Sequence, residues 1–542
     1  MRTIARVTLL STLALAAACS MAKRTAGSAD QTATAPAGDA VGSSPAPSVA
    51  VASDSFNTEG YRPIDENEFK DVSAAPLSTF AIDVDAASYS NVRRFVMTEN
   101  RLPPVDAVRL EELVNYFDYD YPDPTDGRPF SVTTEVAPAP WNPAHRLVHV
   151  GIQGKRMAAA ALPPANLVFL IDVSGSMDDP DKLPLLKDAF GMLVENLRPQ
   201  DRVAIVVYAG AAGMVLPPTP GSQKDRILDA IRSLEPGGST NGGEGIELAY
   251  RLARDGFVRG GNNRVILATD GDFNVGVSSD AELVRLIERE RESGVFLSVL
   301  GFGRGNLQDA KMEQLADRGN GNYAYVDRLS EARKVLVRQM GATLFTIAKD
   351  VKVQVEFNPA QVKAYRLIGY ENRLLAAEDF NDDRKDAGEL GAGHAVTALY
   401  EIVPAGAAED PARHTDPLRY QQVSPTSSAG GSGELLTVKL RYKAPDGDTS
   451  QLITQPLVDR GAGLDAASAD FRFAAAVAEW GMLLRGSRFR GNASYASVLS
   501  LARSALGDDP AGDRAEFLRL VGASQRLAAI DAPRGDDRAA GR

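Results

Sequence analysis

The chain has 542 residues, too many for one ordinary hydrophobic core, so two to four structural units are expected. Its 44% hydrophobic and 24% charged residues are those of a soluble globular protein. A formal net charge of -12 argues against a nucleic-acid partner, and four scattered histidines (His145, His149, His394, His414) argue against a His-rich zinc site.

Residues 1–18 carry Arg2 and Arg6, then an apolar run from Val7 to Ala18 that ends in small residues. The run is too short for a transmembrane helix and reads as a signal segment. Cys19, the single cysteine, follows it directly, so no disulfide is possible within the chain. LAAAC resembles a bacterial lipobox, with Ala16 where Leu is more usual. The resemblance implies cleavage and lipid attachment at Cys19, and so a lipid anchor to a membrane. A plain secretory signal is the alternative. Residues 19–60 are Ala, Ser, Gly, Thr and Pro with almost no large apolar side chains, and are expected to form a disordered tether.

Residues 61–164 form a mixed α+β region. STFAIDVDAASYSNVRRFV reads as a strand leading into a helix. Leu110, Leu113, Val114 and Phe117 predict an amphipathic helix over 105–118. FSVTTEVA and RLVHVGIQG read as strands. Over 165–347 strands alternate with helices. Strands are predicted at 166–172, 202–208, 264–270, 295–301 and 322–327, with helices at 182–197, 223–235, 243–255, 279–293, 306–318 and 330–347. Strand cores without polar alternation imply a sheet buried on both faces, hence a doubly wound α/β domain. From 348 to 467 the hydrophobic period becomes two, as in DVKVQVEF and LLTVKLRYK, which predicts a β-sandwich-like unit. Strands before 165 and after 349 could pair into one sandwich. Residues 468–530 read as helical, with Phe473, Val477, Trp480 and Leu484 on one face and a second helix over 493–505. The charged tail 531–542 is expected to be disordered.

The chemistry concentrates in the α/β segment. Asp172, Ser174 and Ser176 form DVSGS at the end of an apolar strand, Thr240 lies in GGSTNGGEG, and Asp270 ends the next apolar strand. Ligand sites in doubly wound folds lie beyond the carboxyl ends of the strands. Serines two apart on a loop can turn both hydroxyls to one ion, Thr240 adds a third, and the aspartates supply charge directly or through water. Oxygen donors of this kind suit Mg²⁺, with Mn²⁺ or Ca²⁺ possible. Asp and Ser at a strand end can also merely cap the next helix.

LIDVSGSM, GGSTNGGEG and LATDGDFNVG resemble the metal-ion-dependent adhesion site of the von Willebrand factor type A (VWA) family. The resemblance implies direct metal contacts from Ser174, Ser176 and Thr240, and direct or water-mediated ones from Asp172 and Asp270. It also makes coupling of the site to the last helix, 330–347, an expectation. STFAIDVDAASYSNVRRF, RLEELVNYFDYDYP and APWNP are similar to bacterial VWA lipoproteins of the YfbK type. Asp83 and Asp85 resemble a second DxDxxS motif, but matching later loops are missing, so helix capping by Asp85 or Ser88 is the reading preferred. Asp178 and Asp179 read as solvated loop or helix-capping residues, with recognition at the rim as the alternative.

The expected function is a lipid-anchored, divalent-metal-dependent binding module of the bacterial cell envelope that captures an acidic side chain of a protein partner. A metal-dependent hydrolase is the alternative from another class. GxSxG, GxxxxGK[ST] and HExxH do not occur, so no enzyme activity is expected. A structural subunit, with the metal only bracing loops, is the third reading.

Overall fold

The computed structural model describes residues 58–82, 85–238, 242–271, 280–339, 341, 345–385, 387–412, 433–445 and 447–531. The signal segment, Cys19, nearly all of the tether, Asp83, Thr240 and residues 532–542 lie outside them. Among the described residues no helix is long and apolar enough to cross a membrane.

The first region contributes strands β1 (Lys70–Asp71), β2 (Leu77–Ala81), β3 (Phe130–Ala139) and β4 (Asn142–Gly154). Helix α1 (Ala87–Arg93) runs into a π turn over Arg94–Thr98. Its N-terminus follows Ala86 with no side-chain cap from its own segment. The expected cap by Asp85 or Ser88 is therefore not made. Instead the Glu112 carboxylate accepts the Ser88 amide at 2.8 Å, and Asp85 accepts the Tyr323 amide at 2.8 Å. The helix predicted over 105–118 is only α2 (Leu110–Asn115), after a 3-10 turn at Val105–Ala107. Val108 between them is extended, and its carbonyl accepts Arg485 Nε and Nη2 at 3.0 and 2.7 Å. A carbonyl taken by a distant guanidinium is not available to continue a helix.

The α/β domain follows. Its strands are β5 (Ala165–Asp172), β6 (Arg202–Tyr208), β7 (Ala212–Pro220), β8 (Asn262–Thr269), β9 (Phe296–Phe302) and β10 (Tyr323–Val326). The sheet order is β10-β9-β8-β5-β6-β7, parallel except for β7, which runs against β6. Every residue of β5 and β8 is buried, as the apolar runs required. Helices α3 (Leu183–Glu195) and α4 (Lys224–Arg232) cover one face through Phe190, Leu193 and Ile227. Helices α5 (Gly242–Asp255), α6 (Asp280–Glu292) and α7 (Asp309–Arg318) cover the other through Tyr250, Ile287 and Leu315. Among the described residues of the helix expected over 330–347, α8 (Leu329–Arg333) runs into a π turn over Lys334–Arg338, residue 341 is helical, and strand begins by Thr346.

Strands β11 (Thr346–Phe357), β12 (Val362–Ile368), β13 (Gly388–Gly391), β14 (Ala395–Pro404), β15 (Glu434–Lys443) and β16 (Ser450–Val458) complete two sheets begun 200 or more residues earlier. One sheet has the order β1-β12-β14-β4-β3. The other has the order β13-β11-β15-β16, and β2 also pairs with β11, Phe80 opposite Val353. Between them lie Phe80, Val150, Val353, Tyr400 and Val438. The α/β domain is thus inserted into one β-sandwich. Helices α9 (Ala469–Arg485), α10 (Tyr495–Arg503) and α11 (Asp513–Asp531) close a third core with α1 and α2. Its centre is aromatic: Phe117 meets Phe473 at 4.8 Å and Phe517 meets Trp480 at 5.3 Å.

Residues 58–60, placed in the tether by composition, lie along the loop after β9. Thr58 N donates to Gly305 O at 2.7 Å and Gly60 N to Leu307 O at 3.0 Å. The Glu59 carboxylate accepts the Gly305 amide at 2.9 Å and pairs with Arg94 at 2.8 Å.

Candidate functional site

Two adjacent central strands, β5 and β8, deliver the candidate residues. Asp172 is the last residue of β5 and is fully buried. Its Oδ1 accepts the Ser174 amide at 2.9 Å, which turns the chain out of the strand. Its Oδ2 accepts the Tyr208 hydroxyl and the Thr269 hydroxyl, each at 3.1 Å. Burial pushes its pKa up to about 6 against the hydrogen bonds from Ser174, and the charge of Asp270 pushes the same way. A buried carboxylate raised in this way is one that a nearby cation would stabilise in its charged form.

Ser174 is buried and Ser176 is exposed, and their hydroxyl oxygens stand 3.0 Å apart. Neighbouring ligands at right angles around an octahedral ion with bonds of ~2.1 Å stand about 3.0 Å apart. The two hydroxyls are hydrogen-bonded to each other, at a spacing that two neighbouring ligands of a small hard cation also take. The loop is held by Gly175 N donating to Gly238 O at 3.1 Å and Gly237 N donating to Val173 O at 2.7 Å. This second glycine-rich segment thereby lies beside the serine loop. It leads into Thr240, which lies outside the described residues.

Asp270 follows β8 and is fully buried. Burial would raise its pKa, but a hydrogen bond from Asn306 and the charge and hydrogen bond of Lys182 outweigh it, so the carboxyl is held below its ordinary value. Gly271 after it has φ +109°, and a Cβ there would come within 2.5 Å of Asn306 O. The glycine lets the loop after β9 close over Asp270.

Sequence reasoning missed four neighbours of this site. Tyr208 and Thr269 anchor Asp172. Lys182 Nζ donates to Asp270 Oδ2 at 3.0 Å and to Ser176 O at 2.9 Å, and lies 3.4 Å from Asn306 Oδ1. None of them falls in a recognised motif run except Thr269, in LATDG. Asp178 is exposed at the end of the 3-10 turn, and Asp179 is exposed with its Oδ2 3.8 Å from Lys182 Nζ. The residue before α3 is Lys182 and no side chain caps that helix, so the capping reading of the two aspartates does not hold.

Among the described residues no group of three or more His, Cys, Asp and Glu side chains could hold a metal. The donor set here is of another kind, two hydroxyls beside two carboxylates, and it fits a hard divalent ion. Ser174 and Ser176 would hold such an ion, with Asp172 and Asp270 behind them.

Family comparisons agree with this architecture. The description "von Willebrand factor type A domain" matches residues 166–339, "von Willebrand factor" matches 55–149, and "Uncharacterized protein YfbK, C-terminal" matches 342–527. Uncharacterized protein YfbK of Escherichia coli strain K12 is 48% identical over 471 residues, 86% of this chain and 80% of that protein. Human inter-alpha-trypsin inhibitor heavy chain H4 is 30% identical over 162 residues, 28% of this chain and 17% of that protein. A solved structure of von Willebrand factor type A from Catenulispora acidiphila covers 73% of this chain and 91% of its own at 16% identity, with a TM-score of 0.39. A VWA domain suggests a protein-interaction or adhesion-type module. On the strength of the YfbK relative and the two matching regions, the chain belongs to the YfbK family, with a VWA domain set into its sandwich.

Proposed function

We propose that this chain is a divalent-metal-dependent protein-binding module of the bacterial cell envelope, held to a membrane through lipid on Cys19. The observation that carries the reading is the Ser174–Ser176 hydroxyl pair, 3.0 Å apart, flanked by two buried aspartates at the carboxyl ends of adjacent strands. Mg²⁺ is the ion best suited to such oxygen donors, with Mn²⁺ or Ca²⁺ as substitutes. When bound, the ion supplies an electrophilic position that an anionic oxygen can complete. The protein's part is to hold the donors in place. Tyr208 and Thr269 fix Asp172, and the glycine-rich segment at 237–238 braces the serine loop. Among the described residues, the rim of Gly175, Ser176, Gly237 and Gly238 is exposed and carries no bulky side chain, and a partner carboxylate would approach there.

The test is capture from envelope extract on the immobilised full chain, in Mg²⁺ and in EDTA, beside Ser176→Ala. The reading expects a partner retained only with Mg²⁺, lost in the variant, and displaced by an acidic peptide. Equal capture in Mg²⁺ and EDTA would refute metal dependence. Metal-dependent turnover of a substrate would instead favour the hydrolase alternative.

A further inference from the structure

The metal site already contains a built-in cation. Lys182 is almost fully buried, and its ammonium joins three separate parts of the site: Asp270 Oδ2 at 3.0 Å, the carbonyl of Ser176 at 2.9 Å, and Asn306 Oδ1 at 3.4 Å. Its stem has a dedicated bed. Gly303 has φ +73°, and a Cβ there would lie 2.3 Å from Lys182 Cγ and 2.5 Å from Cε. Any other residue at 303 would displace the stem as well as strain the backbone. A buried ammonium seated this closely is a fixed charge rather than a solvated surface lysine.

We propose that Lys182 is a specificity-determining residue of this site, a resident cation that makes ion binding depend on an incoming anionic ligand. The inference rests on the metal-binding reading above. Asp270 spends part of its charge on Lys182, so it is a weaker attractor for a divalent ion. The ammonium, bonded to the Ser176 carbonyl and to Asp270 and almost fully buried, also repels that ion. Among the buried groups of the described residues, a loaded site then carries one positive charge in excess: two from the ion and one from Lys182, against Asp172 and Asp270, while Asp179, 3.8 Å from the ammonium, is exposed and screened by solvent. A ligand carboxylate neutralises that excess. Without Lys182 the two buried carboxylates alone would balance the ion, which would be held without a ligand. The residue thus shifts the site from permanent ion storage toward joint capture of ion and acidic side chain.

The experiment is calorimetric titration of Mg²⁺ alone into the full chain, with Lys182→Met and Lys182→Gln, each checked for native circular dichroism. Removing the charge is expected to raise ligand-free Mg²⁺ affinity about tenfold or more in both variants. A parent too weak to measure beside variants that bind would support the inference equally. A merely structural lysine gives the opposite sign, with affinity reduced in the Met variant and close to the parent in the Gln variant, which can keep the hydrogen bonds to Ser176 and Asn306. Unchanged or weakened binding in a folded Lys182→Gln chain overturns the proposal while leaving the metal site standing. No Mg²⁺ binding by the parent or by either variant refutes both the metal site and the role given to Lys182.

Discussion

At the scale of single residues, buried charge decides both stability and reactivity. Arg93 is almost completely buried and pairs with Asp327, with Glu331 at 2.7 Å and with Glu516 at 3.0 Å. Arg93→Met would leave Asp327 and Glu331 buried without that partner, at a cost of about 3–5 kcal/mol. Chemical denaturation of the two proteins should show that loss. Buried His149 and half-buried His394 set a pH dependence. Burial lowers the pKa of His149 and of His394 to about 4, below the ordinary 6.5. At these two positions the unfolded chain therefore binds more protons than the folded one between those values, so their contribution rises with pH, opposed by Asp172 and Glu313, whose pKa values burial raises to about 6 and about 7. The contribution of the histidines is fully present above about pH 6.5 and is lost as pH falls toward 4, up to roughly 3 kcal/mol for each histidine. Denaturation at pH 7 and pH 4.5 of the parent beside His149→Phe isolates the share of His149, and the variant should lose less stability than the parent between pH 7 and pH 4.5. Asp172, Ser174, Ser176 and Asp270 were legible in sequence because they sit in short runs at the ends of apolar strands. Lys182 was not, since its partner Asp270 lies 88 positions away and only the fold brings them together.

Among the elements, local pattern gave the type of most helices and strands, and contacts from distant segments set their limits. β7 went unnoticed because its run AGMVLPPTP has Pro217, Pro218 and Pro220, which read as loop. It is an edge strand, where a missing amide donor does no harm. The expectation that the last helix of the VWA domain moves with ligand capture now meets a physical obstacle. On α8 and its π turn, Glu331 is bound by Arg93 and Tyr116, and Lys334 Nζ donates to Tyr116 O. Displacing the helix would break these buried bonds together. Hydrogen exchange over 329–338 is therefore expected to be the same with and without Mg²⁺ in the parent, and faster in Arg93→Met. The strap at 58–60 makes a further expectation. A chain beginning at residue 61 loses the bonds of Thr58, Glu59 and Gly60 to the 305–307 loop. Relative to one beginning at 55, its Tm should fall by several degrees, on the order of 3 kcal/mol, because the loss of Glu59 also takes a partner from buried Arg94. Exchange in 303–308 should rise.

For the whole molecule, alternation in sequence showed strands but not their partners. Leu77–Ala81 pairs with β11, and β4 pairs with β14, so the sandwich closes only after the α/β domain has been inserted. No local signal records a pairing across so many residues. It follows that residues 61–154 expressed alone should stay unfolded, since β1 and β2 find their partners only after residue 345. A dispersed amide spectrum from that fragment would contradict the arrangement. The same architecture braces the VWA domain against the helical core, Arg93 joining Asp327 and Glu331 to Glu516 and Arg109 joining Asp309 to Glu112. What the domain presents is the hydroxyl pair with its two aspartates. The most direct test is Mg²⁺ calorimetry on the full chain beside Ser176→Ala, a change at an exposed side chain that leaves the core untouched. Because Lys182 weakens ligand-free binding, the titration is done with an acidic peptide present. Saturable one-to-one binding in the parent that is lost or weakened at least about tenfold in the variant is the result expected. Identical titrations of the two folded proteins would contradict the assignment of this site to a metal ion.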